Sequence, residues 1–492
     1  MSVAGADPNE DIRTPSTEGA ALPAPESGVG KDLSDFSMGQ AADQVRRVYR
    51  HELAVRTQVL LDSLGGLDIQ GLKGVKDGLV ASMHPKLLER SREGFGLIVQ
   101  DGACPGAITN ALTRMNGAGR YLRGGVTVVS ADARLLFGEA GSSSASFHSI
   151  ETGERMQFFT GAFGKIHDLP GTTILGVNGS IDSGRIAVYL SDRGAQSSVS
   201  QFYFPPCAER DPLKAWRAAQ ISAAIAGLHY LEGWLEQRSG GSRIVQTHSA
   251  EILFTERPRA VPEHEATIRV IKDTNDAYFR QLRNIIRSGE HNGFVFGESF
   301  TGGAINSLFQ SVPRMARYVD YAVVWYHEQF KEVFGVDRSY LNIHKIASPE
   351  TVREAALGLL DNPPSILPSS QRMAIVGTRI AHTAVTTSGW ASLDIPGAPD
   401  NFSVCVRSLW GEKAVTYTGQ LQVESSCALP PSYARKEITK QLGVATALYL
   451  TGRALTDLNP TVPAAFKRTT AALGSFIRGH AGSPLNVGRD VV

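Results

Sequence analysis

The sequence predicts an α/β fold made of two tandem homologous three-layer α/β/α domains, and three observations predict it. The chain repeats itself: Gly96–Gly138 lies ungapped against Gly293–Gly335 at a constant offset of 197. "GLIVQDGACPGAITNALTRMNGAGRYLRGGVTVVSADARLLFG" then faces "GFVFGESFTGGAINSLFQSVPRMARYVDYAVVWYHEQFKEVFG". Gly106, Ala107 and Ile108 stand over Gly303, Ala304 and Ile305, Tyr121 stands over Tyr318, and the closing Phe-Gly pairs coincide. Apolar strand runs alternate with helical patterns, as they do where helices cover a sheet. Each half ends in a segment with apolar residues at helical spacing, "DPLKAWRAAQISAAIAGLHYLEGWLEQ" and "SYARKEITKQLGVATALYLTGRAL".

In chain order, residues 1–40 are rich in Pro, Gly and Ser, lack an apolar signal core, and are expected to be disordered. Residues 41–240 hold the first repeat. Its strand "GLIVQ" precedes a glycine-bearing turn and a helix, and "TTILGVNGSIDSGRIAVYLS" (172–191) reads as strand, polar turn, strand. Residues 241–265 read as a linker opened by turn-formers. Residues 266–480 hold the second repeat, where "RMAIVGTRIAHTAV" (372–385) and "NFSVCVRSL" (401–409) take the place of the strand pair. Residues 481–492 read as a tail.

Composition sets bounds on partners. At 492 residues, 42% hydrophobic and 20% charged, the chain has enough apolar material for more than one core. Its net charge of +1, from 49 Lys and Arg against 48 Asp and Glu, offers no electrostatic case for nucleic acid or a membrane surface. No apolar run reaches the roughly 18–20 residues of a spanning helix. The four cysteines, Cys104, Cys207, Cys405 and Cys427, are far apart and form no CxxC pair, which fits a reducing, cytoplasmic setting. The histidines show no ligand spacing, His327-Glu328 lacks the second His of HExxH, and neither a metal nor another cofactor is expected.

The chemistry concentrates in "GFVFGESFTGGAINSLFQSVP", an apolar strand that becomes a helix through Glu298, Ser299, Thr301, Gly302 and Gly303. A helix start presents N–H groups without intrahelical partners, and these favour negative charge. A serine oxygen there can attack a carbonyl whose developing oxyanion faces the same donors. Gly302 and Gly303 let a substrate approach the backbone. Ser and Thr at such turns most often cap the helix, and that plain reading competes. The following "YAVVWYHEQFK" adds Tyr326 and Lys331; a desolvated lysine can serve as base to a serine, whereas most lone lysines sit on solvated faces. The turn is not the GxSxG elbow, because Thr301 holds its last Gly position.

"GESFTGG", then "VP", then "YHEQFKEVFGV" resembles the C-terminal domain of CinA and the PncC-type nicotinamide-mononucleotide amidohydrolases, whose motifs are AESCTGG, VPGSS and YSNEAK. The resemblance covers most of residues 270–455. It implies a CinA C-terminal-like fold and metal-free release of ammonia from a carboxamide, with Ser299 as nucleophile, Lys331 as base and Tyr326 as its hydroxyl partner. Glu298, Thr301, Gly302 and Gly303 would line the oxyanion and substrate site. The family's [ST]GIAG turn falls on "GTRIA", so Thr378 keeps the hydroxyl and Arg379 replaces a glycine; the arginine of PGDR best matches Arg435. The VPGSS serine is lost, since Met315 and Ala316 stand there, and "RIAHTAVTTSGW" replaces the GIAGP loop.

In the first repeat Gly102 stands opposite Ser299, Val129 opposite Tyr326, and Arg134 opposite Lys331. Arginine stays protonated and is no base. This half reads as a catalytically dead copy that pairs with the second repeat in place of the family's second subunit; a homodimer of the whole chain is a further option. Cys104, which faces Thr301, is an alternative nucleophile. With the trio kept and its surroundings rewritten, the expected substrate is a small carboxamide of the sugar–glutamine type. It would be deamidated or lactonised as mannopine is to agropine. Nicotinamide-mononucleotide deamidation is the alternative, and a non-catalytic scaffold built from two worn copies is the reading from a different class.

Overall fold

The computed structural model describes residues 38–129, 172–204, 209–238, 262–288, 293–361, 382–390, 400–423 and 433–491, apart from short breaks at 116, 182–183, 193–197, 210, 334–335, 345–346 and 412. Contacts divide the chain into residues 1–49 and 50–492. The described elements of the first repeat are α1 (Met38–Ser63), α2 (Ile69–Arg92), β1 (Gly96–Gln100), α3 (Ala107–Thr113), β2 (Leu122–Val128), β3 (Thr172–Ser180), β4 (Arg185–Asp192), β5 (Ser198–Tyr203) and α4 (Pro212–Arg238). Those of the second are α5 (Pro262–Ser288), β6 (Phe294–Glu298), α6 (Ala304–Gln310), β7 (Val319–Trp325), α7 (Glu328–Val333), α8 (Arg338–His344), α9 (Pro349–Asp361), β8 (Thr383–Trp390), β9 (Asp400–Trp410), β10 (Lys413–Val423), α10 (Tyr433–Leu458), α11 (Ala464–Ala481) and β11 (Asn486–Val491).

The eleven strands among the described residues form one sheet in the order β11-β10-β9-β8-β6-β7-β2-β1-β3-β4-β5. Read outward from the β7–β2 junction, each half has a strand, its parallel neighbour, a third parallel strand, then two antiparallel ones, and the second half adds β11 at its edge. At the junction β2 and β7 pair antiparallel, and Val126 pairs with Val323, its own counterpart at the 197-residue offset. The register therefore carries a pseudo-dyad. The 197-residue spacing also relates α3 to α6 and β2 to β7, so the repeat read from the sequence is a repeat of structure.

Two residues press against each other near that dyad. A Cβ on Gly106 would lie 2.2 Å from the Gly303 carbonyl oxygen, and one on Gly303 would lie 3.0 Å from Gly106 Cα. Both have positive φ, 68° and 92°, so glycine is required twice over.

Side chains alternate across the sheet of the second half. Phe294 and Phe296 join a core with α5, α6, α10 and α11, while Val295 joins another with α7, α8 and α9. That is the three-layer α/β/α arrangement. The second core extends across the junction to Ile98, Val126, Val128 and Ile174.

Three boundaries differ from expectation. The sequence places the end of the linker at residue 265, but α5 begins at Pro262, a residue whose fixed φ suits a first helical position. The strand beside β6 is described from Thr383 and takes in "TTSGW", which the motif comparison places in a loop; residues 372–381 of the expected strand lie outside the described residues. The expected tail contains β11, which pairs antiparallel with β10 at the sheet edge.

Candidate active site

β6, β7 and β8 are neighbouring parallel strands, so their carboxyl ends open along the same side of the sheet, where α/β proteins form ligand crevices. Glu298, the last residue of β6, is in register with Val324 of β7 and Thr387 of β8. Ser299 therefore begins the turn beyond β6, Tyr326 is the first residue beyond β7, and Ser388 follows Thr387 along β8. Lys331 is one turn further on, in α7.

The turn is held from below. The Ser299 amide donates to the Thr387 carbonyl at 3.1 Å and to its Oγ1 at 3.3 Å. Thr301 Oγ1 and Thr387 Oγ1 share a hydrogen bond at 2.8 Å. Ser299 is 7% exposed and Thr301 is fully buried. Neither caps the helix: the N-cap is Gly303, with no side-chain bond of its own. Capping falls to Glu298, whose carboxylate accepts from the amides of Gly303 (3.1 Å), Ile305 (3.0 Å) and Asn306 (2.8 Å). Burial raises its pKa, opposed by the Asn306 and Ile305 amides.

This changes two assignments. Glu298 faces the helix, not a substrate. Of the amides expected to hold an oxyanion, Gly303 donates to Glu298 and Gly302 donates to the Ser299 carbonyl at 3.0 Å. Gly302 is also sealed from behind, since a Cβ there would lie 2.1 Å from Thr113 Oγ1 of the first repeat. The capping carboxylate and the tight turn take up the inward N–H groups, and Phe300 and Thr301 are the turn's other amides.

Lys331 is 2% exposed, and burial lowers its pKa to about 8 against a partial offset from Glu328. Burial pushes the half-buried Tyr326 up to about 12, so its phenol stays protonated at neutral pH. Because β7 runs antiparallel to β2, the approach to β2 lies beside the exit from β7. A Cβ on Gly119 would touch the Tyr326 ring at 3.5 Å, and the His327 amide donates to the Arg123 carbonyl at 3.0 Å. The first repeat thus walls the Tyr326 side.

Thr378 and Arg379 lie outside the described residues, as does Arg134. Arg435 is half-buried in the first turn of α10. Met315 is buried in the core with α5 and α10. Sequence reasoning missed Thr387 and Ser388-Gly389, the hydroxyl and glycine pair that β8 carries to the Ser299 turn; a Cβ on Gly389 would meet Phe300 at 2.8 Å. A Ser-Gly pair at the end of an apolar run was the available signal.

The corresponding turn of the first repeat is filled. A Cβ on Gly102 would sit 2.1 Å from Asn178 Oδ1, so that residue blocks the place where the second repeat holds its serine side chain. Cys104 is not a competent alternative: it is fully buried, and burial together with Asp101 raises its thiol well above the usual range. Among the described residues, no group of three or more His, Cys, Asp or Glu could hold a metal ion, and no helix is long and apolar enough to cross a membrane.

Residues 282–365 match the family model described as CinA C-terminal domain. The second repeat therefore carries a segment of CinA C-terminal type, in agreement with its motifs. Among solved structures the chain is similar to a competence or damage-inducible protein from Enterobacter asburiae, at 18% identity, covering 36% of this chain and 98% of that one, with a TM-score of 0.26. It is also similar to the competence damage-inducible protein A (ComA) from Klebsiella pneumoniae, at 20% identity over 38% and 99%, TM-score 0.26. A third is the competence/damage inducible protein CihA from Agrobacterium tumefaciens, at 17% identity over 41% and 99%, TM-score 0.24. No curated protein matches.

Proposed function

We propose that the protein is a metal-independent carboxamide-processing enzyme in which Ser299 is the nucleophile, Lys331 the base and Tyr326 its hydroxyl partner. The observation that carries this reading is the buried Lys331 with its pKa lowered to about 8, one turn beyond the strand end that adjoins Ser299. A buried amine is costly unless used, and a base near neutrality is what a serine hydroxyl needs. Ser299 Oγ loses its proton toward Lys331 and bonds to the amide carbon. The oxyanion is met by the Phe300 and Thr301 amides, and ammonia leaves with a proton returned from Lys331. Water then releases an acid, or a hydroxyl of the same substrate releases a lactone.

The substrate favoured here is a sugar–glutamine conjugate of the mannopine type, deamidated or cyclised toward an agropine-like lactone. The motif positions that depart from the nucleotide-hydrolysing pattern support it: Met315 occupies the core where that pattern has a serine. The test is ammonia release by the purified protein, and by Ser299→Ala, from nicotinamide mononucleotide, glutamine and mannopine, with products weighed. Serine-dependent release from mannopine, giving a product one water lighter than the acid, establishes the cyclase. Release from the mononucleotide alone moves the substrate, and release that survives the loss of Ser299 removes the mechanism.

A further inference from the structure

Tyr326 leaves β7 toward the first repeat. Gly124 of β2 pairs with Trp325 of β7, and the antiparallel contact continues past the strand end, where the His327 amide donates to the Arg123 carbonyl at 3.0 Å. Trp325 belongs to the core with α7, whereas the ring of Tyr326, the next residue, meets the first repeat. A Cβ on Gly119 would lie 3.5 and 3.6 Å from two of its ring carbons. Gly119 sits in the short turn Ala118–Arg120, which leads directly into Tyr121.

Tyr121 brings a second phenol to this place. It is fully buried; burial raises its pKa, and the charge that Tyr326 would carry raises it further. The two hydroxyls thus act on each other across the repeat junction. A buried phenol needs a hydrogen-bond partner. Tyr121 Oη has one in Nδ1 of the half-buried His84 of α2 at 3.1 Å, the two rings meeting edge to face at 5.7 Å. A hydroxyl donates one hydrogen bond and accepts two, so His84 does not exhaust Tyr121. With both phenols pushed upward, both hydroxyl protons stay in place near neutral pH.

The pseudo-dyad supplies a comparison. At the 197-residue offset Tyr318 stands for Tyr121, while Val129 stands where the second repeat has Tyr326. Val129 packs against the core that contains Tyr318, so an aromatic ring at this position serves the fold on both sides. The Tyr318 hydroxyl accepts from its neighbour Arg317 at 2.6 Å, and valine offers it no phenol. The paired phenols therefore belong to the side that carries Ser299.

We propose that Tyr121, oriented by His84, is a positioning residue of the Ser299 site: it holds the Tyr326 hydroxyl in place to serve Lys331. His84 Nδ1–H donates to Tyr121 Oη, Tyr121 donates to Tyr326 Oη, and Tyr326 is left to donate to the neutral Lys331 amine. This direction assigns the Nδ1–H tautomer to His84. The first repeat becomes a working wall of the active site, although Tyr121 itself touches no reacting atom. The inference rests on the role proposed for Tyr326.

The test combines kinetics of Ser299-dependent ammonia release with NMR of the tyrosine Cζ resonances, that of Tyr326 being assigned by its loss in Tyr326→Phe. Tyr121→Phe keeps the ring and removes only the hydroxyl. It should lower kcat about 10-fold with KM unchanged. It should also move the Tyr326 resonance, which Tyr203→Phe at an exposed site leaves in place. In the Tyr326→Phe background it should cost nothing further, because it acts only through that phenol. His84→Ala should give a weaker fall in kcat, and His84→Asn, whose amide N–H takes the place of Nδ1–H, should restore it. That pair serves if Tyr121→Phe disturbs the buried core. Unchanged kcat in both Tyr121→Phe and His84→Ala, an undiminished loss in the Tyr326→Phe background, or a Tyr326 resonance indifferent to Tyr121→Phe overturns the inference. Absence of serine-dependent release removes the proposed function instead, and the resonance then decides alone whether Tyr121 holds Tyr326.

Discussion

The two strand-to-helix turns at Ser299 and Gly102 share a backbone plan and differ in what stands above it. Each follows a buried parallel strand, precedes a seven-residue helix, and has an acid at its start: Glu298 in one, Asp101 in the other. Asp101 accepts from Thr127 Oγ1 at 2.7 Å, and burial raises it to about 6. Beyond these acids the copies diverge. One holds a serine tied to β8 and a buried lysine on the next helix; in the other, Asn178 of β3 fills the space above Gly102. The acid and the glycine before the helix, Gly106 and Gly303, are therefore requirements of the fold, shared by both copies, whereas Gly302 stands opposite Pro105. Ser299, Tyr326 and Lys331 are the additions that function must explain.

The largest expected break in this comparison comes from Lys331. Replacement by Met should lower serine-dependent ammonia release by about 10²–10⁴-fold. It should also raise the melting temperature, because a buried amine is exchanged for an apolar chain of similar length. In the parent protein, kcat/KM should climb with pH through an apparent pKa of about 8, since the ammonium below that value cannot accept the serine proton. Loss of that limb in the variant is the check, and an unchanged profile assigns the base elsewhere.

Next in size is Gly106→Ala at the pseudo-dyad. It combines a left-handed φ of 68° with a Cβ 2.2 Å from a carbonyl oxygen, and should cost roughly 2–5 kcal/mol by denaturant titration. A cost under 1 kcal/mol means that the Gly106–Gly303 contact is loose.

Gly102→Ser restores the missing side chain and should destabilise by about 1–2 kcal/mol, less than the previous change because Asn178 is a side chain that can turn aside. Combining it with Asn178→Ala should recover most of the loss; if it does not, Asn178 is not what closes the position.

Smallest is Arg314→Gly. Exposed Arg314 has φ 67°, while its counterpart Gly117 has φ 76° with no side chain to strain. Glycine there should stabilise by about 0.5–1 kcal/mol, read as a small rise in melting temperature.

What could be read from sequence was local. The strand–turn–helix at Ser299 and the helix bearing Lys331 are patterns within a few dozen residues, where periodicity and glycine placement suffice, and the 197-residue repeat shows in the match of two such stretches. The expected strand at 372–385 overlaps β8 only over Thr383–Val385, its earlier residues lying outside the described ones, and only hydrogen-bond register shows that the pairing with β6 runs on to Thr387. A side-chain period of two makes any shift of that register decisive for which residues reach a site.

By itself, then, the sequence determined the repeat, the α/β class and the chemical character of the Ser299 turn, since each is carried by residue type and spacing. Tertiary structure alone decided four things. The halves close into one sheet about Val126 and Val323; Glu298 and the turn itself occupy the Gly302 and Gly303 amides; Thr387, 88 residues away, holds Ser299; and Asn178 fills the first copy's turn. The physical reason is common to the first, third and fourth: each depends on hydrogen bonds or close approach between segments distant in the chain, and those distances exist only once the strands are in register; the second lies within five residues and was decided by how the turn closes on Glu298.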